Sequence, residues 1–405
     1  MHEIFNLRRE MNIDDYIENV RPIVEAVRNE GDAALIRFTK QFDGVEIEDL
    51  KVGEREFEEA YETVSDDLID ALETAKENLD RFHYVTAVER EMRIEFEDCL
   101  MGKIYTPIEK VGAYIPGGRA SYPSTALMIG IPAKIAGVER LIACTPPDSE
   151  GRINPLTLVA LDIAGFDEVY KVGGAQAIAA MAYGTESIPK VYKIVGPGNI
   201  YVTAAKLLVA KDVAIDMPAG PSEILVIADD TANAEFIAYD CLAQLEHDPM
   251  AVAVVLTTSK DLAERIGELV EKHSISENFR VAVVESIEKA VEISNEFAPE
   301  HLTVVVENAE EWLSKIRNAG SVFLGNYSPV AAGDYASGTN HVLPTAGFAR
   351  MFGGLSVESF MKHFTFQMLS EETMNRIGDA IIKIAEAEGL RFHAESVRKR
   401  LGKQL

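Results

Sequence analysis

The residues best suited to chemistry gather in three short clusters. Gln244-Leu245-Glu246-His247-Asp248-Pro249 is the first and Phe297-Ala298-Pro299-Glu300-His301-Leu302 the second. Gly333-Asp334-Tyr335-Ala336-Ser337-Gly338-Thr339-Asn340-His341 is the third. The chain has 8 histidines; His247, His301 and His341 each stand near a carboxylate in these clusters, and His393 lies near the C-terminus. Neutral imidazole and carboxylate are the groups that bind metals and move protons near pH 7. A scarce residue type concentrated in Gly- and Pro-punctuated stretches is hard to explain by packing alone, so the active site is expected here.

Gln244 and His247 sit at the end of an expected helix, at a spacing that lets both face one way. That geometry suits a metal such as zinc, with Asp334 as an oxygen ligand, although from spacing alone a surface helix end with a satisfied histidine is the favoured reading. Glu300-His301 falls between a helix that stops before Pro299 and a strand starting at Leu302. Adjacent Glu and His there can serve as two bases, one for a hydroxyl and one for a water, or as a polar capping pair. Ser222, in the Pro- and Gly-dense stretch Asp216-Met217-Pro218-Ala219-Gly220-Pro221-Ser222-Glu223, either hydrogen-bonds a substrate in a cleft or belongs to a linker. Gly196-Pro197-Gly198-Asn199 joins a strand to a helix and can offer backbone N–H groups to a phosphate. Tyr201 stands where the dinucleotide fingerprint has its third glycine, so a plain turn remains an equal reading. Gly173-Gly174-Ala175-Gln176 is similar, and two such turns in one sheet would share an edge. Cys241 lies inside an apolar helix and reads as core rather than as a thiol nucleophile.

The elements that must position these groups follow from periodicity. Tyr16 to Phe38 and Glu54 to Phe82 carry apolar residues at three and four spacings and read as long amphipathic helices. From Val111 the texture becomes alternating. Leu141–Thr145, Glu168–Val172 and Lys190–Val195 read as strands, and 155–164, 175–183 and 199–210 as helices. The pattern repeats with strands at 224–228, 251–257, 280–284 and 302–306 and helices at 233–245, 260–273, 287–297 and 309–319. Such alternation implies α/β architecture with parallel sheets covered on both faces, in two Rossmann-like units. The tail from Glu371 reads as helical.

Composition narrows the partners. A chain of 405 residues suggests two major domains. The net charge of -27 argues against nucleic acid and against an anionic membrane surface. The N-terminus has no basic region followed by an apolar core, and no apolar run approaches the roughly 20 residues that span a bilayer. Cys99, Cys144 and Cys241 are dispersed and odd in number, which fits a reducing cytoplasm.

Together these stretches resemble the histidinol dehydrogenase family. The matching residues run through Val111-Gly112-Ala113-Tyr114-Ile115-Pro116-Gly117-Gly118, Gly173 to Ala177, Gly196 to Tyr201 and Asp216 to Glu223. They continue through Gln244 to Pro249, Ala298 to Leu302, Gly333 to Pro344, and Glu388-Gly389-Leu390 with His393. The resemblance implies a four-electron oxidation of L-histidinol through L-histidinal to L-histidine with two NAD. It implies one Zn2+ per subunit, held by Gln244, His247, Asp334 and a His393 from the partner subunit. Glu300 and His301 match the proton acceptors, Glu300 for the water and His301 for the alcohol. Ser222, Gln244, His247, His301, Asp334, Glu388 and His393 match substrate-contacting positions, and His341 matches a histidine near them. Tyr114, Gln176 and Asn199 match NAD-contacting positions.

The implied organisation is a homodimer with shared active sites. Residues 1–30 form an N-terminal helical segment. Residues 31–110 and 223–350 form a first Rossmann-like domain with the metal and catalytic clusters. Residues 111–222 form a second with the NAD contacts, and 351–405 a C-terminal dimerisation tail. Competing readings are a zinc- and NAD-dependent alcohol dehydrogenase with another amino-alcohol or sulfonate substrate, a binding protein without turnover, and a metallohydrolase acting through metal-bound water.

Overall fold

The structure, a computed structural model, describes residues 5, 7–8, 13–96, 98–117, 121–218 and 220–402. Gly118 and Ala219, both within the sequence motifs above, lie outside the described residues. The chain divides into two compact units, Met1–Ala87 with Ile108–Phe360 and Val88–Pro107 with Met361–Leu405.

The larger unit contains two five-stranded sheets, each wholly parallel. Across the first run Glu168–Lys171, Arg140–Thr145, Lys110–Tyr114, Lys193–Val195 and Ala214–Ile215. Across the second run Phe279–Val283, Val252–Thr257, Glu223–Ala228, His301–Val305 and Ser321–Leu324. In both, the earliest strand is central, the next two extend to one side and the last two to the other. The strand order therefore reverses beside the central strand, the arrangement of a doubly wound half.

Glu223–Ala228 explains why such strands form. All six residues are buried. Ile224, Val226 and Ala228 enter the core shared with helices Ala234–Leu245 and Lys260–Val270, while Leu225 and Ile227 enter the core shared with Ile287–Phe297. Alternate side chains thus face opposite layers, and each buried Leu, Ile or Val stabilises by about 1.5–3 kcal/mol. Short polar side chains mark the helix starts. Asn154, Asn199, Asn233, Ser259 and Ser286 each accept backbone N–H bonds in the first turn that follows, a cap worth about 1 kcal/mol.

The N-terminal helices differ from the periodicity reading. Tyr16 to Phe38 is divided into Ile13–Glu30 and Asp32–Phe42, because Gly31 adopts φ +59, which ends the helix at a residue without a Cβ. Glu54 to Phe82 is divided into Glu54–Thr63 and Asp66–Thr86 by the extended pair Val64-Ser65. Ala34 and Leu35 join the core of the first sheet, and Glu54–Thr63 and Asp66–Thr86 pack on helices Pro155–Ile163 and Pro123–Ala136. These helices therefore pack on the helices of the first sheet. The helix expected over 309–319 is a 3-10 segment, Ala309–Lys315. Beyond it the Asn295 carboxamide captures the backbone, accepting from Arg317 N–H at 2.7 Å and donating to the Lys315 carbonyl at 2.9 Å. That competition from a side chain distant in sequence ends the helix.

The smaller unit is an antiparallel sheet of Glu91–Phe96, Cys99–Pro107 and Met361–Leu369, with helices Glu371–Ala387 and Arg391–Arg400 packed through Ile382, Ala385, Ala394 and Val397. Glu91–Phe96 alternates charged and apolar residues, a period of two that marks a strand. Met92, Ile94, Phe96, Phe364 and Met368 are exposed on this sheet. Among the described residues no helix is long and apolar enough to cross a membrane. All three cysteines are free and buried.

Candidate active site

The switch point of the second sheet brings the catalytic candidates together. Glu223–Ala228 and His301–Val305 run in parallel with Ile224 opposite His301. Glu300 and His301 therefore arrive beside Glu223, at the amino edge of the sheet. The Glu223 N–H donates to Glu300 Oε2 at 2.8 Å, and the Glu223 carbonyl oxygen lies 3.2 Å from His301 Nδ1. One residue's backbone thus holds both side chains. With the Nδ1–H directed at that carbonyl, a neutral His301 keeps its lone pair on Nε2. Nε2 is buried without a hydrogen-bond partner, 3.6 Å from Asp334 Oδ1.

Burial pushes the Glu300 carboxyl up to about 7, against the opposing pull of His301 and the Glu223 N–H. Burial alone would discharge the His301 ring, but Glu300 and then Asp334 outweigh it and hold its pKa above the usual value. For Asp334, burial is likewise outweighed, by His301, His341 and His247, and its pKa falls below the usual range. The site therefore holds a fixed anion, Asp334, beside two groups able to exchange protons near neutrality.

Helix Ala234–Leu245 ends at the same edge and packs against the short helix Val330–Tyr335, which carries Asp334. Gln244 is buried, and both of its amide atoms lack a partner. His247 is exposed just past the helix end, its Nδ1 3.4 Å from the Gln244 carbonyl oxygen. His341 is committed to the protein itself. Its Nδ1 lies 2.7 Å from the Asp334 carbonyl oxygen and its Nε2 3.2 Å from Thr125 Oγ1. Burial lowers its pKa, so this neutral ring links the Asp334 turn to helix Pro123–Ala136 rather than offering a free base. Ser222 is half-buried immediately before Glu223.

The cofactor candidates lie at the carboxyl edge of the first sheet. Tyr114 ends the central strand, and its hydroxyl accepts the Gly174 N–H at 3.1 Å. Gln176 is buried in the first turn of helix Gly174–Tyr183, its Oε1 unpartnered. Asn199 caps helix Ile200–Val209, its Oδ1 accepting from Tyr201 and Val202 N–H. Gly196 has φ +112, and a Cβ there would run into the Tyr114 carbonyl. The turn needs glycine on both counts. Two helix N-termini and their glycine turns at a switch point present backbone N–H groups of the kind that suit an anionic ligand.

A histidinol dehydrogenase sequence profile matches residues 6–401. Histidinol dehydrogenase from Archaeoglobus fulgidus is 77% identical over 403 residues, covering 100% of each chain. The chain belongs to the histidinol dehydrogenase family. That from Methanocaldococcus jannaschii is 53% identical, covering 97% of this chain and 94% of the relative. The crystal structure of histidinol dehydrogenase from Elizabethkingia anophelis superimposes with TM-score 0.93 at 44% identity, covering 99% of this chain and 96% of that one. Membership of the histidinol dehydrogenase family makes the chain an oxidoreductase.

Among the described residues no group of three or more His, Cys, Asp and Glu is arranged to hold a metal ion. The donors at the amino edge nevertheless fit one. Gln244 carries a buried carboxamide with nothing to bond, a state that costs about 1–3 kcal/mol unless a ligand relieves it. With His247 and Asp334 it makes a nitrogen- and oxygen-donor set of the kind divalent zinc accepts, short of a full tetrahedral shell. Glu388 and His393 belong to the smaller unit, where both are exposed, Glu388 as the cap of Glu371–Ala387 and His393 in Arg391–Arg400.

Two parts of the site had escaped the sequence reading. Lys206 is a buried ammonium that donates to Asp216 and, at 3.0 Å, to the Gly196 carbonyl, while Asp216 accepts the Gly196 N–H at 2.7 Å. This pair holds the Gly196 turn from beneath. Arg8 forms a two-pronged ion pair with buried Glu223, at 2.6 and 2.7 Å. Burial raises the Glu223 carboxyl and Arg8 offsets part of that rise. Removing one partner of such a pair costs about 3–5 kcal/mol. Glu223 was within reach of the sequence, being adjacent to Ser222. Arg8 carried no signal of its own.

Proposed function

We propose that this chain oxidises L-histidinol to L-histidine in two successive steps through L-histidinal, using two NAD, with one zinc ion per subunit in a homodimer. The observation that carries the reading is the buried Glu300-His301 pair, held by the Glu223 backbone and facing Asp334 across 3.6 Å. NAD when bound supplies the hydride acceptor, and zinc when bound supplies a Lewis-acid anchor for the imidazole and amine of the substrate. Gln244, His247 and Asp334 would hold the metal, with His393 of a second copy completing the shell. Tyr114, Gln176 and Asn199 would contact the cofactor. Ser222, with Glu388 of the second copy, would orient the amino alcohol.

His301 accepts the hydroxyl proton at Nε2 as the carbinol carbon gives up hydride. Glu300 then removes a proton from the water that adds to the aldehyde while His301 returns its proton to the carbonyl oxygen. As the hydrate gives up a second hydride its hydroxyl proton passes to His301, and the acid product loses its remaining proton to solvent as the carboxylate. A carboxyl with a pKa of about 7 can accept the water's proton and release it at neutral pH. Met92, Ile94, Phe96 and Met101 are exposed on one face of the smaller sheet and support the homodimer, since such an apolar stripe calls for a covering partner.

The test is NADH absorbance with L-histidinol and NAD, before and after chelation. The expected outcome is two NADH per histidinol, lost on chelation and regained with zinc. One NADH per histidinol would remove the second step and the role of Glu300. No NADH from metal-replete dimer would overturn the substrate.

A further inference from the structure

Arg8 lies far in sequence from every residue of the chemistry, yet it touches both segments that deliver Glu300 and His301. Its Nε and one terminal nitrogen bind the two oxygens of Glu223 at 2.6 and 2.7 Å. The same terminal nitrogen donates to the Ala298 carbonyl at 3.3 Å, and the guanidinium carbon stands 3.8 Å from the centre of the Phe297 ring. Ala298 has φ +53, a left-handed conformation that a residue with a Cβ adopts only when its surroundings hold it there. It sets the turn from helix Ile287–Phe297 into Glu300 and His301. Glu223, on the other side, supplies the N–H that fixes Glu300 and the carbonyl that fixes His301.

We infer that Arg8 is a positioning residue for the reaction, clamping the start of strand Glu223–Ala228 to the Ala298 turn so that Glu300 and His301 stay aligned. Three features favour this over a merely stabilising ion pair. The fork is matched to both carboxylate oxygens, which a lysine cannot reproduce. The third contact goes to the strained residue of the catalytic turn. Glu223 meets the catalytic side chains through its backbone, so its carboxylate is free to serve as the handle by which that backbone is held. Arg8 makes no contact with Gln244, His247 or Asp334 among its hydrogen bonds and ion pairs, so the clamp acts on the bases and not on the metal donors.

The inference rests on the proposed oxidation of histidinol, and the experiment separates the two. Wild-type enzyme is assayed beside Arg8→Lys and Arg8→Ala, with zinc content and Tm measured for each. If the wild type does not turn over histidinol, the functional reading fails. Given an active wild type, Arg8→Lys is expected to lower kcat by about 10- to 100-fold with KM for histidinol and NAD within about threefold. Guanidinium ion added to folded Arg8→Ala is expected to restore part of kcat, and methylammonium to restore none. Wild-type kcat in Arg8→Lys overturns the inference. So does a loss expressed in KM, or a loss in folded Arg8→Ala that guanidinium leaves unchanged. Should Arg8→Ala fail to fold, the kcat and KM of Arg8→Lys decide alone.

Discussion

The two parallel sheets of the larger unit share one strand order but gather their candidate chemistry at opposite edges. On the first sheet the cofactor candidates stand at the carboxyl ends of the strands, where helices Gly174–Tyr183 and Ile200–Val209 begin. On the second, Glu300, His301 and Gln244 stand at the amino ends, where helices Ala234–Leu245 and Ile287–Phe297 finish. In a parallel α/β layer every helix runs against its strands, so the carboxyl edge collects positive helix ends and the amino edge negative ones. An edge of N–H groups suits the phosphates of a dinucleotide. An edge of helix C-termini suits a cation and imidazolium. The same fold thus offers two edges of opposite polarity, and the proposed function assigns each the ligand of matching charge.

Substitutions at one edge should leave the other edge's function intact, and the largest effect belongs to the amino edge. His301→Ala should lower kcat for histidinol by about 100- to 10,000-fold while NAD affinity, read by fluorescence titration, changes by less than about threefold. A comparable loss of NAD affinity would show that the edges are not separable.

Glu300→Gln sharpens the division within the amino edge. Oxidation of histidinal should fall about 100-fold more than oxidation of histidinol, measured as separate half-reactions. Equal losses would leave Glu300 without a step of its own. The same variant carries a pH signature. The folded carboxyl has a pKa of about 7, above its ordinary 4.5, so its protonation stabilises the native chain fully below about pH 4.5. That contribution is lost as pH rises through about 7. Urea denaturation of metal-free protein should therefore find Glu300→Gln gaining on wild type between about pH 5 and about pH 8. A constant gap would deny the buried, elevated carboxyl.

The smallest effect is expected at the carboxyl edge. Gly196→Ala meets both the left-handed backbone and the Tyr114 carbonyl. It should raise KM for NAD and lower Tm through strain of about 1–3 kcal/mol, with zinc content and kcat at saturating NAD unchanged. Loss of zinc would mean that the two edges are mechanically coupled.

Much of this molecule was written locally. The alternation of apolar strands with helices led to two α/β layers, and most element limits agree to within a few residues. The exceptions are instructive. Gly31 divides a helix that apolar spacing alone runs together, because spacing reports a buried face and not backbone continuity. The strands Glu91–Phe96 and Cys99–Pro107 were hidden among charged residues, since a sheet exposed on its surface lacks a continuous apolar run. Asn295 ends a neighbouring helix through contacts about twenty residues away, beyond any local window.

The sequence by itself determined which residue types stand at strand and helix ends, and hence the three clusters, the glycine turns and the family. Those are properties of adjacent residues, and adjacency is what a sequence records. The contacts made across the sheets came from the fold. It committed both nitrogens of His341 to Thr125 and Asp334 and left the amide of Gln244 buried without a partner. It also brought Arg8 onto Glu223 and Ala298. The physical reason is register: parallel pairing of His301 with Ile224 fixes what faces what across the sheet, and no spacing along the chain encodes that pairing.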